Sequence, residues 1–310
     1  MRIVIAGGTG FLGGPLAEVY AEDGHDVVVL TRRLPAGEAR HESGTGVPGI
    51  TRVGWKPDGQ GGPWAATLDG ADAVINLAGE GIGNRRWTPQ RKAQLRDSRI
   101  IPTRSLAAAI RASAVPPKVL VSASGVGYYG ASGDEPKTED SPAGDDFLAH
   151  VCEDWEGEAL GAVSPATRVV VTRTGVVLER AGGALTQMMR PFQLFVGGPI
   201  GSGRQYISWI HRHDWIEMLR WIVQTPEVTG PINATSPEPV TNREFARALG
   251  LALRRPGFVP APAFVLKLAL GEMASLALTG QRVLPARVQA LGYHFRYPHL
   301  GQAFRGIFGG

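Results

Sequence analysis

Seven residues near the start constrain the fold more than any other feature. The short apolar run Arg2–Ala6 ends in Gly7-Gly8-Thr9-Gly10-Phe11-Leu12-Gly13. Helical spacing follows at once, with Leu12, Leu16, Val19 and Tyr20 on one face of a segment reading Leu12–Asp23. Strand, glycine turn and helix in that order make a nucleotide-phosphate cradle. One glycine allows the tight turn off the strand. The next lets backbone N–H groups approach a pyrophosphate, and the third lets the helix pack closely on the sheet. The anion then sits at the helix N-terminus, where unpaired N–H donors and the helix dipole favour negative charge. Gly7, Thr9, Gly10, Phe11, Leu12 and Gly13 are therefore the first candidate cofactor-binding residues.

The second apolar run, Asp26–Leu30, is followed by Thr31-Arg32-Arg33. An NAD site places a carboxylate near this point to bond the ribose 2′-hydroxyl. A carboxylate would repel a 2′-phosphate, whereas a guanidinium pairs with one in fork geometry. Thr31, Arg32 and Arg33 thus point to NADP(H) in preference to NAD(H). A further run, Ala73–Leu77, leads into Ala78-Gly79-Glu80. Leu77, Ala78 and Gly79 are small or apolar enough to let backbone approach the cofactor, and Glu80 is a candidate for hydrogen bonding to cofactor or substrate.

Additional buried-strand runs read at Ile50–Val53, Lys118–Ser122 and Arg168–Arg173, with a Gly/Pro-rich loop at Leu34–Gly49. Helices read at Phe147–Leu160 and from Thr88-Pro89 to about Ala114, with Thr88 as N-cap, Pro89 at N1 and a bend at Pro102. Strands alternating with helices imply a doubly wound parallel sheet covered on both faces. The fold class is α/β, Rossmann-like, over about residues 1–180, with later strands and helices returning to it. From Gly182 to Gly203 the chain reads as glycine-rich loop. Helices follow around Asp214–Thr225, with Asp214 as N-cap, then at Asn242–Leu253, and a proline-punctuated stretch, Pro256–Pro262, leads into the apolar segment Phe264–Ala277. Residues 181–310 read as a small α/β lobe on the substrate side, packed on the sheet without a flexible linker.

Composition narrows the function classes. Apolar residues make up 43% of the chain, enough for a large core, and the longest apolar stretch is too broken to cross a bilayer. The single cysteine, Cys152, excludes an intrachain disulfide and fits a cytoplasmic protein. His211 and His213 lack acids at ligand spacing, so no metal site is expected. The pI near 9.4 comes from 27 arginines against five lysines, but these are scattered and the net charge is only +4. Nucleic acid is not the expected partner.

The chain resembles the extended and atypical short-chain dehydrogenase/reductases, the NAD(P)-dependent epimerase/dehydratase family. Within them it is similar to the group called epimerase family proteins, which carry a C-terminal domain of unknown function (here about 250–300). The resemblance rests on IAGGTGFLG, VVVLTRR, VINLAGEGI, VLVSASGVGYYG, VCEDWEGEA, RTGVVL, GSGRQYISWIHRHD and LALGEMASLALTGQRVLP, in that order. It implies a seven-stranded sheet, bound NADP(H) and a small-molecule substrate of the nucleotide-sugar kind.

The family's general base is a tyrosine with a lysine four residues on, whose charge lowers the phenol pKa. Four residues beyond the six tyrosines here stand Gly24, Ser132, Gly133, Ile210, Tyr297 and Gly301, so the dyad is absent. In the matching helix Cys152 takes the tyrosine position and Glu156 the lysine position. A carboxylate there raises a neighbouring thiol's pKa, which disfavours a thiolate. Ser124 occupies the place of the family serine and can position a substrate oxygen. Ser124, Glu156 and Tyr129 are the catalytic candidates, with Tyr128 and Tyr129 also suited to wall a cleft. Arg204 is suited to a diphosphate, and Trp209 to a stacked ring or to the core. Two functional expectations follow: an NADP(H)-dependent oxidoreductase or epimerase with a nonstandard site, or an NADP(H)-binding sensor or scaffold with little turnover.

Overall fold

The computed structural model describes residues 1–34 and 48–309. Most of the expected Leu34–Gly49 loop therefore lies outside the described residues. Seven parallel strands form one sheet: β1 (Arg2–Ala6), β2 (Asp26–Thr31), β3 (Ile50–Gly54), β4 (Ala73–Asn76), β5 (Val119–Gly125), β6 (Arg168–Thr174) and β7 (Gly230–Ala234). Their order is β7-β6-β5-β4-β1-β2-β3. The chain thus winds outward in both directions from β1 and β4, and a ligand crevice opens where these two diverge at their C-terminal ends.

The near-continuous apolar strands are explained by burial on both faces, since successive side chains alternate between them. Ile3, Ile5, Val27, Val29 and Ile75 pack on one side against Leu16 of α1 (Gly13–Glu22) and Trp215 and Leu219 of α5 (Arg212–Gln224). Val4, Val28, Val74 and Leu120 pack on the other against Leu106 and Ile110 of α2 (Pro89–Ala112) and Ala159 of α3 (Phe147–Leu160). Thr88 caps α2 through Arg91 N and Asp146 caps α3 through Ala149 N.

A third core, holding Trp209, Phe245, Leu249 and Phe304, belongs to the second lobe. Two expectations are corrected here. The stretch read as loop from Gly182 contains α4 (Gly183–Gln193), because Leu185, Met189 and Phe192 fall on one buried stripe despite the surrounding glycines. Asp214 does not cap α5. His211 does, its ring accepting from His213 N, while Asp214 is buried and accepts from the N–H groups of Arg296 and Tyr297, both at 2.9 Å. Helix α6 (Asn242–Leu253) falls on the expected residues, its start fixed by a capping box between Thr241 and Glu244. The apolar segment from Phe264 forms α7 (Ala263–Leu270), a 3-10 turn and a short helix, broken at Gly271 with φ 61°.

Candidate functional site

The glycine loop ends β1 in a tight fold. Gly7 has φ 81°, and a Cβ there would lie 2.7 Å from the Leu77 carbonyl carbon. A Cβ on Gly13 would lie 2.3 Å from Gly7 O, so the first turn of α1 packs against the loop itself. Leu12 precedes the helix without a side-chain cap, leaving the first N–H groups free of side-chain acceptors. Thr9 and Gly10 are exposed on top, and Phe11 turns away, its ring against Gly182 and Gly183 at the start of α4. The loop therefore touches the second lobe.

At the end of β2, Thr31 is buried and its hydroxyl bonds the backbone of Arg33, which leaves Arg32 and Arg33 exposed. Among the described residues, no carboxylate follows the end of β2, and the Arg32 and Arg33 side chains stand exposed there. Beyond β4, the Leu77–Glu80 loop is anchored on α2. Glu80 N donates to Ser98 Oγ at 3.1 Å, Arg99 donates to Glu80 O at 2.8 Å, and the Glu80 carboxylate pairs with Arg91. Asn76 holds the strand end, receiving Ala78 N and donating to Thr103 Oγ1 and Ser122 Oγ. These residues fit a dinucleotide: an uncapped helix start, a backbone cradle that side chains would fill, and cations at the ribose end.

Ser124, Glu156 and Tyr129 meet under the ends of β5 and β6. Ser124 Oγ donates to Glu156 Oε1 at 2.7 Å. Arg173, one strand over, grips Glu156 through Nε and Nη2 at 2.9 and 2.8 Å. Sequence reasoning missed Arg173. The available signal was a charged residue just past the apolar run Val169–Val171. Its guanidinium also lies 3.3 Å from the centre of the Tyr128 ring and donates to Tyr129 Oη at 3.0 Å. Burial works to lower the Arg173 pKa, but the Glu156 bonds and charge outweigh it and hold the group protonated.

Tyr129 is buried, donates to Asn233 Oδ1 at 2.7 Å, and has its pKa pushed up to about 12, chiefly by burial. Cys152 is buried beside Gly125 O, and burial first, then the Glu156 charge, push its thiol up to about 11. It packs as a small apolar group. Behind Tyr129, the Glu139 carboxylate accepts from Asn233 N at 3.0 Å and from Arg287 N at 3.3 Å, while Asn233 Nδ2 donates to Leu284 O. Trp209 belongs to the core and is fully buried. Arg204 is exposed in the second lobe. Among the described residues, no cluster of three His, Cys, Asp or Glu side chains is placed to hold a metal.

The sequence profile of the NAD-dependent epimerase/dehydratase family matches residues 3–234, and that of a domain of unknown function, DUF1731, matches 261–307. The chain belongs to the NAD-dependent epimerase/dehydratase family. Within this family it is 41% identical to the chloroplastic SDR39U1 homologue of Arabidopsis thaliana, over 99% of this chain and 86% of that one. The crystal structure of human epimerase family protein SDR39U1 (isoform 2) with NADPH superposes with a TM-score of 0.88 at 39% identity, covering 100% of this chain and 99% of the other. A nucleoside-diphosphate sugar epimerase from Corynebacterium glutamicum gives 0.79 at 33% identity, covering 100% of this chain and 58% of that one. The seven-stranded sheet implied by the family resemblance is present.

Proposed function

We propose that this protein binds NADP(H) in the glycine-loop crevice and acts as an oxidoreductase or epimerase on a small polar carbinol, of the nucleotide-sugar class. The cofactor reading is supported by the arginine pair after β2 and by the human relative crystallised with NADPH. The substrate class is supported by the Corynebacterium relative's name. The observation that carries the catalytic reading is the 2.7 Å hydrogen bond from Ser124 to a carboxylate already held by Arg173.

The polarity of that bond has chemical meaning. Ser124 spends its proton on Glu156, so its oxygen is left to accept one. A substrate hydroxyl is the partner it suits. When bound, the nicotinamide supplies a hydride acceptor at C4. As the carbinol C–H leaves as hydride, its O–H proton leaves to water, with Ser124 Oγ accepting the substrate hydroxyl's hydrogen bond and positioning that oxygen. The substrate becomes a carbonyl while Glu156 stays paired with Arg173. The reverse reaction takes its proton from water. Arg173 holds the Glu156 carboxylate through two hydrogen bonds, and that carboxylate in turn fixes the Ser124 hydroxyl. Arg32 and Arg33 hold the 2′-phosphate, and the backbone of Gly7 to Gly13 holds the pyrophosphate. The buried, unpaired cysteine suits a reducing compartment such as the cytoplasm.

The missing tyrosine–lysine dyad favours a second reading, an NADP(H)-binding sensor or scaffold. Stopped-flow absorbance with NADPH and a panel of carbonyl compounds and nucleotide-sugars separates the two. Oxidation by one panel member, lost in Ser124→Ala with NADPH affinity unchanged, supports the enzyme. Tight NADPH binding with no oxidation by any member supports the sensor.

A further inference from the structure

Helix α7 has no buried residue. Phe264 and Leu268, on its outer side, are 72% and 80% exposed. A water-facing helix of eight residues does not carry such side chains without a partner, because packing of an apolar face supplies most helical stability. The neighbouring surface is of the same kind. Backbone bonds from Val259 N to Gly197 O and from Ala261 N to Pro199 O lay the two segments side by side. They bring exposed Leu194 and Phe195, after α4, next to Phe258, which is 77% exposed. Leu251 projects from the end of α6 into the same region, five residues before Pro256.

The charges around these side chains are predominantly basic, and Glu272, just past α7, is paired with Lys92. Segments 186–206 and 243–271, which carry the whole apolar face, contain seven basic residues and one acid. That acid, Glu244, is turned back onto Thr241 in the capping box. Arg247 lies one helical turn before Leu251, Lys267 lies on α7, and the Arg255 guanidinium sits 4.5 Å above the Phe195 ring. The two non-glycine residues with positive φ among the described residues, Phe195 (62°) and Arg254 (54°), both fall in this face. Arg254 is the left-handed residue that ends α6.

We propose that this face docks on an anionic lipid bilayer. A second copy of the chain would bring seven cations against seven, whereas an acidic headgroup layer complements them. The apolar side chains then enter the boundary between headgroups and acyl chains while the arginines and Lys267 stay among the phosphates. No spanning helix is involved, since no helix among the described residues is long and apolar enough to cross a membrane. The proposal is independent of turnover at the nucleotide site.

Vesicle flotation of the full chain tests it. Binding is expected to phosphatidylcholine vesicles containing phosphatidylglycerol and not to phosphatidylcholine alone, and it should weaken as salt is raised. Arg247→Glu/Arg255→Glu should weaken it by about 30-fold or more, because each arginine beside an anionic surface strengthens binding roughly five-fold and charge reversal adds repulsion. Phe258→Ser/Phe264→Ser/Leu268→Ser should abolish it, and unchanged NADPH binding by that variant establishes that it is folded. Failure to float with anionic vesicles overturns the proposal, as does equal flotation with neutral ones. Sedimentation as a dimer that the triple serine variant converts to monomer, without vesicle binding, overturns it in favour of an interface between copies.

Discussion

Arg173 and Glu156 meet through two parallel hydrogen bonds, 2.9 and 2.8 Å, although one lies on a strand and the other on the helix covering it. Both side chains are nearly excluded from water. A buried pair of this kind has satisfied its desolvation only as a pair, so removing one member strands the other. Arg173→Met should lower stability by about 3–5 kcal/mol, read from urea unfolding. The double variant Arg173→Met/Glu156→Leu should lose less than the sum of the single changes. Strict additivity would mean that the two groups are not coupled.

Cofactor preference turns on Arg32. Arg32→Asp should weaken NADPH binding by roughly 10- to 100-fold, the range of a charge-assisted hydrogen bond, while NADH binding changes little. Titration of both nucleotides by fluorescence checks this. Equal losses for the two would remove Arg32 from the 2′-phosphate.

Gly13 has no room for a methyl group, because a Cβ there would stand 2.3 Å from Gly7 O, a backbone atom that cannot swing aside. Gly13→Ala should cost on the order of 1–3 kcal/mol through forced backbone shifts and should disrupt the phosphate loop. A lowered thermal midpoint together with weakened NADPH binding is the expected result. Gly24→Ala is the control for positive φ without crowding, since nothing lies within 4 Å of its missing Cβ. It should lose stability but keep the cofactor.

His211 makes stability depend on pH. Its Nδ1 accepts from His213 N to start α5, and its ring stacks on Tyr297 at 4.0 Å. Burial first, then nearby His213, push its pKa from 6.5 down to about 4. A depressed histidine contributes stability that is complete above the unfolded value and fades as pH falls toward the folded one. The fold should therefore lose about 3 kcal/mol from this group between pH 6.5 and 4. His211→Asn retains a capping acceptor and does not titrate. Its unfolding midpoint should be flatter across that window, and an unchanged slope would dismiss the assignment.

Much of the molecule was legible in the sequence for local reasons. Strands β1, β2 and β4 are near-continuous apolar runs because both faces of the sheet are covered. Helix α6 announces its start through Thr241 and Glu244, three residues apart. Helix α4 was not legible, because glycines at 182 and 183 and Pro191 obscure a stripe that only tertiary packing makes stable. Strand β7 is short and contains proline and asparagine, Gly230–Ala234, so it lacks the apolar signature. The glycine loop and the arginine pair could be read directly, since neighbouring residues form them. The Ser124–Glu156–Arg173 cluster could be read only in part. Ser124 and Glu156 follow from a family phrase, whereas Arg173 reaches Glu156 only because β6 lies beside β5 beneath α3.

The carboxylate of Glu139 joins parts of the chain separated by about half its length, taking an N–H from the last sheet strand and another from Arg287 near the end. That arrangement limits how such a protein can be recombined. A chimera that borrowed its tail from a relative would have to present a backbone N–H at the same point, or leave a desolvated carboxylate behind the Tyr129–Arg173 cluster. The tail is therefore inherited with the crevice it supports, and the two must change together.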